Sequence, residues 1–90
     1  MTTNRYYIDP KDLTPEQVHA IQILAARKGR PSPVTDGVVH GGRASFRLKT
    51  AMELADLGVV YRTETDLGEC YVLSKVGNAI APRITYWRVD

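Results

Sequence analysis

Three cations crowd a short stretch of this 90-residue chain, Arg43, Arg47 and Lys49, with Ser45, Phe46 and Thr50 set among them. Guanidinium and ammonium groups bind phosphate oxygens through charge-assisted hydrogen bonds, and hydroxyl, amine and ring side chains are the types that touch base edges. Across residues 43–57 the apolar positions Ala44, Leu48, Ala51, Leu54 and Ala55 fall at helical spacing, which predicts one amphipathic helix. Its charge order runs against its own polarity. Aligned peptide dipoles favour acids in the first turn and bases in the last, yet the bases lead here while Glu53 and Asp56 trail. That order forgoes about 0.3–1 kcal/mol per exposed charge. An external anion meeting the leading half would account for it. Duplex DNA phosphates fit, because recognition helices enter the major groove with their N-terminal residues foremost.

The wider charge distribution points the same way. Residues 27–49 hold six bases (Arg27, Lys28, Arg30, Arg43, Arg47, Lys49) against Asp36 alone, a local +5, within a chain whose total is +2. Residues 50–80 hold Glu53, Asp56, Glu64, Asp66 and Glu69 against Arg62 and Lys75, a local −3. A basic concentration of this kind is the footprint of a phosphate-contacting face. Arg27 and Lys28 have a second use, since they sit in the last turn of a predicted helix and suit the negative end of its dipole.

Other chemistries find little support. No nucleophile–base–acid spacing, paired carboxylates in an apolar frame or phosphate-cradling glycine loop can be assembled, so no enzyme and no cofactor is expected. One cysteine, Cys70, forms no intramolecular disulfide, and with only His19 and His40 beside it makes a poor zinc site. No apolar run approaches the roughly 20 residues that span a bilayer, and residues 1–5 lead into no secretory core. A cytoplasmic protein without a membrane role is expected. Ninety residues allow one domain with a thin core.

The elements that must position the cations read as follows. Residues 4–8 have strand-like content and Asp9-Pro10 breaks it. Thr14, Pro15 and Gln17 form a capping box opening a helix whose apolar face is Val18, Ile21, Leu24 and Ala25, ended by Gly29 and Pro31. Residues 32–39 read as a short helix or as a loop touching down through Val34, Val38 and Val39. His40-Gly41-Gly42 is then the turn into the next helix, where a glycine also lets backbone approach a phosphate. After Gly58, residues 59–63 and 70–73 read as a hairpin turning at Asp66-Leu67-Gly68. Alternation should place Val60 and Val72 apart from Tyr61 and Tyr71. Ser74 caps a short helix through Ile80, closed by Pro82. Residues 83–89 alternate as a strand that could pair with residues 4–8. Tyr6, Tyr7, Tyr86 and Trp87 supply aromatics of the kind that anchor interfaces, here between two copies of the chain, or that cover an open face of the monomer.

The second half resembles a winged helix-turn-helix DNA-binding domain. The resemblance is carried by Leu54, Gly58-Val59-Val60, Tyr71-Val72-Leu73-Ser74 and Gly77, which match that family's leucine, glycine plus apolar pair, aromatic-x-Leu-Ser/Thr and trailing glycine. It covers residues 14–81 and implies an α+β fold: a three-helix core with a small antiparallel wing hairpin, flanked by strand-like termini at 4–8 and 83–89. It further implies a small sequence-specific DNA-binding protein, a transcriptional regulator working through the helix at 43–57 as a homodimer. Ser45, Phe46 and Lys49 would read bases; Arg30, Gly42, Arg43, Arg47, Thr50 and Arg62 would complete the contact surface. Arg47 departs from the pattern, standing where the family more often buries a small apolar residue. Either its stem packs while its guanidinium reaches the surface, or the helix is rotated. Phe46 likewise has three readings: a contact to a thymine methyl, an anchor for a protein partner, or a core residue. Winged domains also serve as protein-docking modules, so an inhibitor or adaptor using the acidic wing and terminal aromatics is the alternative.

Overall fold

The computed structural model describes residues 9–87. After a 3-10 turn at Pro10–Asp12 comes α1 (Pro15–Ala26), then β1 (Ser32–Thr35), β2 (Val38–Gly41) and β3 (Ala44–Arg47). Next are α2 (Leu48–Asp56), the hairpin β4 (Val60–Thr65) and β5 (Gly68–Leu73), and α3 (Lys75–Trp87). The fold is α+β: among the described residues, five strands in the order β3-β2-β1-β5-β4, every pairing antiparallel.

Local chemistry explains most boundaries. The Thr14 side chain accepts from the Gln17 amide at 3.1 Å while the Gln17 side chain accepts from the Thr14 amide at 3.0 Å, the reciprocal cap expected of that spacing. α1 ends where Lys28 (φ 54°) and Gly29 (φ 87°) turn left-handed. Asp36 (φ 54°) and Gly37 (φ 77°) form the two-residue turn between β1 and β2, and this pair of positive φ values matches the twist of a tight hairpin. Gly42 (φ 89°) takes the first position of the next two-residue turn. Ser74 opens α3: its hydroxyl accepts from the Gly77 amide at 3.2 Å and donates to the Gly58 carbonyl at 2.5 Å.

Residues opposite one another in a ladder share a face. Val34, Val39, Phe46, Val60, Tyr71 and Leu73 therefore fall on one side of the sheet, and they form the core with Ile21, Ile23 and Leu24 of α1, Ala51 and Leu54 of α2, and Ile80, Ala81 and Ile84 of α3. Tyr61 pairs with Val72 on the other side, so Val60 shares its face with Tyr71, not with Val72 as alternation alone suggested.

Three further expectations need correction. Residues 32–39 are neither helix nor loop but β1 and the start of β2, because Asp36-Gly37 favours a hairpin and valines suit strands. The helix expected over 43–57 occupies only 48–56, and 44–47 are strand. Residues 83–87 continue α3 through Pro82, not a terminal strand, because Gly77, Ile80, Ala81 and Ile84 make a helical stripe that the core buries. The strand expected at 4–8 lies outside the described residues.

Candidate nucleic-acid interface

The shortened α2 removes the premise drawn from its charge order. Arg43 sits in the β2–β3 turn and Arg47 is the last residue of β3, so of the three cations only Lys49 lies in the first turn of α2. Two of the three are also committed inside the fold. Arg47 donates to both carboxylate oxygens of Glu16 on α1, at 2.6 and 2.5 Å, a bidentate pair. The guanidinium holds the Glu16 carboxyl below the usual carboxylate range, and Glu16 in turn raises the guanidinium's own value. Lys49 stands 3.7 Å from Glu53, one turn along α2. Arg62 on β4 bonds Glu69 at 3.1 Å and Glu64 at 2.8 Å, and the first of these is the main cause of its raised pKa.

Phe46 and Thr50 are not available to bases at all. Phe46 is 5% exposed on the core face of β3, and Thr50 is 1% exposed on α2. Of the three readings of Phe46, the core residue is the one the structure holds. The aromatics Tyr6 and Tyr7 lie outside the described residues; Tyr86 and Trp87 belong to the last turn of α3, and the interface expected of all four falls outside the described side chains.

Arg27, Lys28, Arg30 and Arg43 lie at the opposite end of α1 or in the turn packed on it. Gly41 has no room for a side chain, since a Cβ there would meet the Ile23 side chain, so the β2–β3 turn rests directly on α1. That contact puts Arg43 on the rim of an open cleft of about 410 Å³ whose walls include His19, Gln22, Ile23 and Ala26. Arg27 reaches beneath the same turn: a Cβ at Gly42 would lie 3.8 Å from its Nη1. Its guanidinium donates to Ser32 Oγ at 3.2 Å and to the Pro31 carbonyl at 2.7 Å, both neutral acceptors. These bonds satisfy the fully buried Ser32 hydroxyl and pin the end of α1 to β1. Lys28, Arg30 and Arg43 are exposed, and none has a hydrogen bond or ion pair from its side chain among the described residues. On the neighbouring ribbon His40 and Ser45 face each other across β2 and β3, both exposed.

The structure thus divides the expected basic contact residues into two sets. Gly42 and Arg43 form the turn above Arg27, and Arg30, whose amide bonds the Arg27 carbonyl, follows with Lys28 at the same end of α1. Arg47, Lys49 and Arg62 lie among carboxylates. The sequence signal for the first set was Gly41-Gly42, which fits a hairpin turn resting on α1; the pairing of Arg47 with Glu16 left none. No group of three or more His, Cys, Asp or Glu side chains that could hold a metal occurs among the described residues, and none of their helices is long and apolar enough to cross a membrane. No family model, curated protein or solved structure matches the chain.

Proposed function

We propose that this protein binds duplex DNA chiefly through its phosphate backbone, at the end of α1 and the β2–β3 turn, and acts as a small regulator by occupying its site. The observation that carries the reading is the set of three exposed cations without carboxylate partners among the described residues, Lys28, Arg30 and Arg43, near Arg27, whose bonds there go to neutral oxygens. Phosphate contacts position a protein on the duplex, and base contacts give sequence preference. The groups best placed to supply such preference are His40 and Ser45, since a two-stranded ribbon fits the major groove as a helix does. Helix α2 is a poor reader, because its outward positions pair Lys49 with Glu53 and add Asp56. The acidic β4–β5 hairpin, with Glu64, Asp66 and Glu69 around one arginine, would be turned away from the polyanion.

A polarisation titration on random-sequence duplex DNA with two paired variants tests this. Arg30→Ala with Arg43→Ala should abolish most binding, while Arg47→Ala with Lys49→Ala should leave it nearly intact. The reverse result would return the interface to α2. Absence of wild-type binding at low salt would remove the function altogether.

A further inference from the structure

Among the described residues strand β4 forms one edge of the sheet, and its register with β5 runs unbroken from Val60↔Leu73 to Thr65↔Gly68, with no bulge and no proline. Such an edge presents unpaired amides and carbonyls, and proteins ordinarily blunt it by shortening, kinking or covering. Tyr61, on the strand, is 48% exposed, and Leu67, in the turn that follows it, is 69% exposed. The strand also carries a charge conflict, for Glu64 stands directly opposite Glu69, and one arginine, Arg62, serves both. Like charges directly opposite in a ladder are destabilising.

We propose that β4 pairs antiparallel with β4 of a second copy of this chain about a two-fold axis through Thr63. In that register Arg62 opposes the partner's Glu64, and Glu64 opposes the partner's Arg62. Each Glu64 therefore gains a cation on the side away from Glu69. Tyr61 comes opposite the partner's Thr65. The segment is complementary to itself, as an isologous interface requires. One strand edge is a small contact, so the dimer is weak and salt-sensitive. The surface is separate from the cationic end, and the pairing stands whether or not that end binds DNA.

Sedimentation of the purified chain at high micromolar concentration tests the pairing. The wild type should associate with concentration, and R62E and E64R should each weaken association by at least about tenfold. An equimolar mixture of the two variants should regain it, since one then offers acids to the other's bases, and the double variant should self-associate again. A wild type that stays monomeric, a dimer unmoved by either reversal, or folded variants that fail to rescue one another would overturn the proposal. Hydrogen exchange on the wild type supplies a readout that needs no variant. Amides of β4 should gain protection as concentration rises while those of the other edge, β3, should not, and equal behaviour of the two edges would likewise refute it.

Discussion

The salt dependence of DNA binding can be worked from the side chains that remain free. Each phosphate neutralised by a lysine or arginine releases counterions, so the logarithm of the binding constant falls with the logarithm of salt with a slope of about −0.9 per contact. Lys28, Arg30 and Arg43 are three such groups, whereas Arg27 is occupied by Ser32 and Pro31. The expected slope is about −2.7, a loss of about 40-fold between about 50 and 200 mM salt. With Arg30→Ala and Arg43→Ala together the slope should fall to about −0.9, and the same salt step should cost only about 3- to 4-fold. Arg47→Ala with Lys49→Ala should leave the slope near the wild-type value, because those cations exchange Glu16 and Glu53, not counterions, for phosphate. Fluorescence polarisation with a labelled random duplex at four or five salt concentrations measures all three slopes. A wild-type slope near zero, or a slope that drops with the Arg47 and Lys49 pair, would refute the assignment of the free cations.

Further outcomes follow from the fold. Glu16 has a folded-state pKa below its unfolded value, so the stability it contributes is complete above the ordinary carboxylate value, about 4.3, and is lost as pH falls through the depressed one. Denaturant melts from neutral to strongly acid pH should show that part of the decline missing in Glu16→Gln. Gly77→Ala should destabilise although alanine is the better helix former by about 1 kcal/mol, because its Cβ would strike the Val59 backbone carbonyl and the Leu73 side chain. A net loss of about 1–3 kcal/mol, read by thermal unfolding, is expected from overpacking of that kind. Ser74→Ala removes the acceptor for the Gly77 amide and a donor to the Gly58 carbonyl, and should cost about 0.5–2 kcal/mol in the same assay.

Much of the fold is legible where a single residue dictates a conformation. Thr14 and Gln17 announce α1, Gly58 at φ 78° stops the chain after α2, and Ser74 opens α3. The passage from β3 to α2 was hidden for a physical reason. Ala44, Phe46 and Leu48 alternate as a strand, Ala44, Leu48 and Ala51 repeat as a helix, and no glycine or proline separates Arg47 from Leu48. Five residues cannot choose between those periods; the ladder to β2 does. Asp36-Gly37 is a local hairpin signal, but Ser32-Pro33 just before it is a helix start, and the two compete within eight residues. The basic cluster was visible as composition, but its division was not, since Arg47 is claimed by Glu16, a residue far off in sequence that only the packing of α1 brings near.

The join between β1 and β5 has consequences of its own for how the chain assembles. On one side β1, β2 and β3 form a meander of near neighbours in sequence, and on the other β4 and β5 form a hairpin. Only Ser32↔Tyr71 and Pro33↔Cys70 stitch the two together, and Pro33 has no amide hydrogen to give. Each half can zip locally, whereas the stitch must close a loop of about 40 residues before any contact rewards it. The meander and hairpin should therefore form before the seam between them, with the closing of that seam the slower step, as stopped-flow refolding of a Ser32 or Tyr71 variant would check.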